Sequence, residues 1–216
     1  MFEGIDRCGK TTQCKALEEY ISSRSERADG LKSSSFFRFP NRESQIGKLI
    51  NDYLATTAKT DINDNTIHLL FSANRWEQKD IIEKTLESGV SIVCDRYAYS
   101  GVAFSSAKGM DLDWCKSCDR GLPAPDCVLY LDMPVENAAK RGDFGAERYE
   151  KVDFQLKVRE KFMQLKSEDD NLATSTKWYA INADRTIAEV SAEIQSIVCP
   201  VLDACEQGRP VNRIWS

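Results

Sequence analysis

Three observations predict an α/β protein in three layers, with helices on both faces of a central parallel sheet. Val90-Ser91-Ile92-Val93-Cys94 and Cys127-Val128-Leu129-Tyr130-Leu131 are apolar runs of the kind a parallel sheet buries on both faces. Segments with apolar residues at helical spacing alternate with these runs, which is the rhythm of strand, crossover helix, strand. Gly4-Ile5-Asp6-Arg7-Cys8-Gly9-Lys10-Thr11 matches the glycine-rich loop that joins a first strand to a first helix and cradles phosphate.

Taken in order, the helix after Lys10 carries Cys14, Leu17, Tyr20 and Ile21 on one face. Before Gly4 stand only Met1, Phe2 and Glu3, whereas a buried strand spans about four to eight residues. The first strand is therefore expected to be largely missing. Either the natural chain starts upstream of Met1, the preferred reading, or a shortened chain folds poorly and has doubtful activity. Ser22 to Ser35 reads as polar surface, and Phe36 to Pro40 as a short strand closed by its proline. Ile46, Leu49, Ile50, Tyr53 and Leu54 mark a helix, and Thr56 to Asn65 a connection. One long helix is predicted from near Asn65 through Ile67, Leu70, Phe71, Ile81, Ile82 and Leu86 to a stop at Gly89. The strand ending at Cys94 leads into Asp95, the place of a magnesium-binding carboxylate, and then a helix falls around Trp114. After the next strand, Pro134 takes a first helical position ahead of a helix from Val135 to Lys140. Two glycines among charges make Arg141 to Tyr149 a mobile segment. Val152 to Leu165 is helical, Trp178 to Ile181 a strand, and Ile187 to Val198 the closing amphipathic helix.

A chain of 216 residues suits one domain or at most two, and with no clean boundary a single domain, 1–216, is expected; its net charge of -5 speaks against a general nucleic-acid binder. Eight cysteines at irregular spacing, with no secretory signal, read as reduced thiols. Cys115 and Cys118 form a single C-x-x-C without the second pair a zinc site needs. No run reaches membrane-spanning length. A cytoplasmic protein is expected, with nuclear or mitochondrial pools left open.

In the loop, backbone N–H groups and the positive end of the following helix converge on phosphate. Lys10 reaches the outer phosphates, while Thr11 and Asp95 are the predicted Mg²⁺ ligands. A GTPase would need an N-K-x-D motif, which is absent, so Ser106-Ala107-Lys108 is no guanine loop. Asp143-Phe144-Gly145 lacks the histidine-bearing catalytic loop of protein kinases, and the single histidine, His68, reads as a helix residue near the core. Arg7, Arg38, Arg42, Arg75, Arg96, Arg141 and Arg148 fall beside loops and strand ends. Several guanidinium groups at one sheet edge suit a site that holds two sets of phosphates.

These residues resemble the thymidylate kinases, in their eukaryotic form. The matching pieces are Phe2 to Thr11, Arg38-Phe39-Pro40, His68 to Glu77, Asp95-Arg96-Tyr97 through Phe104, Gly121-Leu122-Pro123, and Arg141 to Glu150. They keep the family's order from residue 2 to about 150, and the likeness weakens beyond. The resemblance implies a three-layer P-loop kinase fold, Mg²⁺ with ATP as donor, dTMP as acceptor, dTDP as product, and a homodimer. It implies that Gly4, Arg7, Cys8, Gly9, Lys10, Thr11, Thr12, Arg141 and Arg185 bind ATP, with Arg141 flanking adenine. Phe71 would stack on thymine and Arg75 would bond its edge. Arg42 and Arg96 would grip the dTMP phosphate, Ser100 and Gly101 would line the base pocket, and Phe104 would crowd the ribose 2′ position. Asp6 would contact the 3′-hydroxyl, Tyr149 would complete the acceptor site, and 141–149 would be the lid. Asp6, Arg7, Lys10 and Arg96 are the expected catalytic set. The lid interior, Gly142 to Glu147, holds no Lys or Arg, which makes Arg7 the candidate arginine finger in cis. Another P-loop small-molecule kinase, of deoxynucleoside or UMP/CMP type, and a truncated nucleotide-binding homologue without activity remain the alternatives.

Overall fold

The computed structural model describes residues 1–24, 33–56, 62–142, 144–172 and 176–216. Its elements, in order, are β1 (Phe2–Glu3), α1 (Lys10–Arg24), β2 (Ser34–Arg38), α2 (Gln45–Ala55), α3 (Asp64–Trp76), α4 (Lys79–Glu87) and β3 (Ser91–Asp95). They continue with α5 (Ala98–Ser106), α6 (Leu112–Ser117), β4 (Cys127–Asp132), α7 (Val135–Ala138), α8 (Val152–Asn171), β5 (Lys177–Asn182) and α9 (Ile187–Glu206). Asp143, the first residue of the Asp-Phe-Gly triplet, and parts of the predicted surface stretch 22–35 and connection 56–65 lie outside the described residues.

The five strands form one sheet in the order β2-β3-β1-β4-β5, and every pairing is parallel. β1 therefore sits at the centre, short as expected. Phe2 pairs with Asp95 on one side and Leu129 on the other. The Met1 ammonium donates to the Cys127 carbonyl, and Leu129 N–H donates to the Met1 carbonyl. Beside Met1, a cavity of about 690 Å³ is lined by Leu17, Ile92, Val93, Cys127 and Val198 among others.

Cys127 to Leu131 is buried residue after residue, as the unbroken apolar run requires of a strand covered on both faces. α1 packs on β1, β2 and β3 and against α9, while α5 and α8 pack together across the sheet. On that second side Tyr99 meets Trp178 edge-on at 4.8 Å between ring centroids, and Tyr130 meets Phe162 at 5.3 Å. Ile50, Tyr53, Leu54 and Ile67 form a smaller core between α2 and α3, with Phe71 and Tyr149 at its margin.

Several boundaries differ from the sequence reading. The single helix predicted from Asn65 to Gly89 is two, α3 and α4, broken at Glu77 and Gln78 with neither Gly nor Pro. The Glu77 carboxylate accepts from Asn74 Nδ2 at 2.7 Å and from the Ser44 hydroxyl, so the end of α3 is tied to the start of α2. β2 stops at Arg38, leaving Phe39 and Pro40 in the loop that follows. Pro134 is the N-cap of α7 rather than its first residue, and α7 ends at Ala138. α8 and α9 run on to Asn171 and Glu206, well beyond their predicted ends. His68 is fully buried on α3, as read; Nε2 donates to the Cys115 carbonyl at 3.1 Å and Nδ1 faces Ser105 Oγ at 2.7 Å. Among the described residues, no helix is long and apolar enough to cross a membrane.

Candidate active site

β1 and β3 end side by side, and the loops leaving them face one cavity of about 550 Å³. Ligands gather at such carboxyl edges because the loops there are free of the ladder and the helices begin there with their N–H groups outward. α1 starts at Lys10 without a capping side chain, and Gly9, Lys10, Thr11 and Thr12 line the cavity. Two of the loop residues support from behind. Gly4 (φ 146°) lies where a Cβ would come within 2.7 Å of the Leu131 carbonyl oxygen, and Cys8 is buried. Lys10 Nζ donates to the Ile5 carbonyl at 2.5 Å. Thr11 Oγ1 donates to Asp95 Oδ2 at 2.5 Å, so a hydroxyl and a carboxylate from separate strand ends share one spot.

The arginines meet here with carboxylates between them. Arg96 Nη2 donates to Asp6 Oδ1 at 2.5 Å, and its Nη1 donates to the Gly4 carbonyl at 2.9 Å and Ser100 Oγ at 3.0 Å. Burial works against its charge, but Asp6, Asp95 and Glu3 outweigh burial and hold its pKa above the ordinary value. The same guanidinium lies 5.1 Å from the Phe104 ring centroid. Arg7 Nε donates to Glu150 Oε1 at 2.7 Å and its Nη1 to the Gly142 carbonyl at 3.1 Å. For Glu150, burial favours the neutral acid, yet the hydrogen bonds from Arg7 and from backbone N–H groups bring its pKa below the ordinary value. Arg42 Nη2 donates to both oxygens of Glu147, at 2.8 and 3.1 Å. Arg7 and Arg96 adopt φ of 62° and 66°. Left-handed backbone at a non-glycine residue costs about 1 to 3 kcal/mol and collects at functional sites.

Phe71, Arg75, Ser100, Gly101, Phe104 and Tyr149 line the same cavity. Arg141 flanks Gly9, with Nη1 at 3.4 Å from the Arg7 carbonyl and Nη2 at 3.5 Å from that of Ala183. Two arginines of the sequence reading are elsewhere. Arg185, expected at ATP, pairs with Glu193 and donates to the Asn182 carbonyl at 3.0 Å, away from the cavity wall, because its loop turns back onto α9. Arg148 lies over the Tyr53 ring at 4.3 Å and donates to the Tyr53 carbonyl, because the chain there is pinned to the end of α2.

Sequence reasoning missed several polar residues behind these walls. Glu3 is fully buried and accepts from the backbone N–H groups of Tyr97 and Ser100, each at 3.0 Å, and from the Ser100 hydroxyl. Burial raises its pKa despite those bonds. An acid directly after Phe2, where the first buried strand meets the phosphate loop, was the available signal. Gln155, also fully buried, accepts from Asp6 N–H at 2.8 Å and donates to Asp6 Oδ2 at 2.7 Å and the Tyr149 carbonyl at 2.9 Å. It links the phosphate loop to the end of the predicted lid. Asp119 holds Arg75 through two hydrogen bonds. Neither Gln155 nor Asp119 stands in a motif that would single it out.

A phosphate loop, a group of arginines and a set of aromatic side chains beside Arg75, all lining one cavity, define a P-loop phosphotransferase of the nucleotide-kinase class. The family model described as thymidylate kinase matches residues 2–194. The thymidylate kinase of Arabidopsis thaliana is 44% identical over 216 residues, covering 100% of this chain and 76% of the relative. That of Dictyostelium discoideum is 48% identical over 197 residues (91% and 82%), and that of Homo sapiens 42% over 216 (100% and 95%). The solved structure of the Candida albicans thymidylate kinase superposes with a TM-score of 0.83 at 34% identity, covering 99% of this chain and 96% of that one. The chain belongs to the thymidylate kinase family.

Proposed function

We propose that this chain transfers the γ-phosphoryl group of ATP to dTMP, giving dTDP. One observation carries the reading: the phosphate loop, Phe71, Arg75 and Gly101 open onto the same cavity, which Arg7, Arg42 and Arg96 also line. Phosphoryl transfer asks little covalent chemistry of a protein and much alignment and charge neutralisation. Here the loop N–H groups and Lys10 bind the donor phosphates, Lys10 leaving the Ile5 carbonyl to do so. Arg141 lies against adenine. Phe71 stacks on the thymine ring, and Arg42 and Arg96 hold the acceptor phosphate in line. Asp6, fixed by Arg96 and Gln155, receives the 3′-hydroxyl. Arg7 neutralises charge on the group in transfer, and 141–149 closes to exclude water, which would otherwise accept the phosphoryl group.

Thr11 and Asp95 present two hard oxygen donors 2.5 Å apart. That set fits Mg²⁺, which takes few protein ligands and completes its shell with water and phosphate. Bound there with ATP, it would offset the charge of the β- and γ-phosphates.

Mg²⁺-dependent turnover of dTMP, dUMP, dCMP and dGMP with ATP tests the proposal. The methyl group separates dTMP from dUMP by only about 10- to 200-fold. If Phe71 and Arg75 hold a single ring, as proposed, dGMP is discriminated against more strongly than dUMP; equal rates with dTMP and dGMP overturn the pocket assignment. The assembly we expect is a homodimer, on family grounds, and light scattering of the purified protein measures it.

A further inference from the structure

Arg75 is 2% exposed, and Asp119, on the turn after α6, is fully buried. Arg75 Nε donates to Oδ1 at 3.0 Å and Nη2 to Oδ2 at 2.5 Å, a two-point pairing that fixes the guanidinium plane as well as its position. The acid is itself held. The single hydroxyl hydrogen of Ser72, one turn earlier on α3, is shared between Oδ1 at 2.8 Å and the neighbouring Cys118 carbonyl at 2.9 Å. The Asp119 carbonyl accepts from Leu122 N–H, and the segment is stapled by bonds between Gly121 and Ile214 and between Ile214 and Leu122. From the other side, Gly101 lets the α5 backbone close on the guanidinium: a Cβ there would stand 2.6 Å from Nη2 and 3.0 Å from Nη1. Arg75 is thus gripped along one edge and flattened on one face, and it lines the cavity beside Phe71.

We infer that Asp119 is a positioning residue for the pyrimidine site: it locks Arg75 so that only N–H donors face the base edge, selecting 4-oxo pyrimidines over 4-amino ones. This rests on the assignment of Phe71 and Arg75 to the acceptor base. A guanidinium has five donors and no acceptor. An arginine free to swing could move aside for an amino group and admit a water; one clamped by a buried carboxylate presents unpaired donors to it. Sites built to hydrogen-bond a substrate group reject analogues that cannot reciprocate far more strongly than apolar pockets reject a missing methyl.

The test is steady-state kinetics of Asp119→Asn, Arg75→Met and the double variant, with dTMP and dCMP as acceptors. In Asp119→Asn the KM for dTMP is expected to rise about 10- to 100-fold. The kcat and the KM for ATP stay within about twofold, and the preference for dTMP over dCMP falls by at least about tenfold. A merely structural loss would instead lower kcat and raise both KM values. In the Arg75→Met background, adding Asp119→Asn should change the KM for dTMP by less than about twofold, because residues acting through one contact are not additive. If Arg75→Met raises that KM and Asp119→Asn does not, the positioning role is overturned while the pocket stands. If Arg75→Met leaves it unchanged, the pocket assignment fails and takes this inference with it. Should Asp119→Asn be insoluble, Ser72→Ala removes one donor to the same carboxylate and is expected to raise the KM for dTMP about two- to fivefold. An unchanged KM there overturns the proposal.

Discussion

Arg7, Arg42, Arg75 and Arg96 each carry a carboxylate partner, and that pairing decides what each can do. Arg7 is bonded to Gly142, inside 141–149, and to Glu150, just after it, so in the proposed reaction its charge is held against the stretch that closes over the phosphates. Arg7→Ala is therefore expected to lower kcat by about 10³- to 10⁵-fold, the range of arginine fingers; a variant with near-normal single-turnover rates would remove Arg7 from the chemistry. His68 gives a separate handle on the residue scale, through stability. Burial, with the Arg75 charge second, lowers its pKa from 6.5. Below 6.5 the unfolded chain binds a proton that the native protein refuses, so stability falls as pH drops through that window. Glu3 acts in the opposite sense, because its raised pKa makes the native state the better proton binder as pH falls. The comparison must therefore be with His68→Asn rather than with an absolute slope. From about pH 7 to about pH 5.5 the urea midpoint of the parent protein should fall more steeply than that of His68→Asn. Parallel curves would mean that His68 titrates normally in the fold.

At the scale of elements, Glu147 and Glu150 tie the described residues 144–150 to Arg42 and to the phosphate loop. Glu150 accepts from Gly145 N–H at 2.9 Å as well as from Arg7, and Glu147 occupies the Arg42 guanidinium that the acceptor phosphate would need. Both members of the Arg42–Glu147 pair are about one-third exposed, so the pair contributes no more than about 1 kcal/mol. Glu147→Gln should then lower the KM for dTMP by up to about fivefold, since the phosphate no longer competes with a charged neighbour. A raised KM would show that Glu147 assists the acceptor instead. These partners could not be read from the sequence. Arg42 and Glu147 are 105 residues apart, Arg7 and Glu150 143, and a charge pattern says nothing about contacts at such separations. The break between α3 and α4 was hidden for a related reason. No Gly or Pro marks it; the bonds of Glu77 to Asn74 and Ser44 do, and they exist only once α2 and α3 have packed. What was legible was local: the apolar run of β4, the glycine spacing of the loop, and Asp95 at the end of β3.

For the whole molecule, the sheet order was beyond the sequence, which fixes which segments are strands but not which are neighbours. β1 at the centre touches both β3 and β4, and that adjacency brings the phosphate loop beside Asp95 and Arg96. The same centrality makes ligand binding a property of the entire fold. Gln155 on α8 joins Asp6, next to β1, to the Tyr149 carbonyl, and Arg96 after β3 joins Asp6 to Ser100 on α5. A ligand that fixes Asp6 therefore steadies four elements at once. A ligand at about 100 times its Kd, binding only the native state, adds about 2.7 kcal/mol. For a chain of this length each kcal/mol raises Tm by about 2 to 4 °C, so dTMP and a non-hydrolysable ATP analogue should each raise it by about 5 to 11 °C. Together they should exceed the sum of their separate shifts if 141–149 closes over both ligands, as proposed. A strictly additive pair of shifts would mean that the two sites do not share that segment, and no shift with saturating dTMP would remove the acceptor from this cavity.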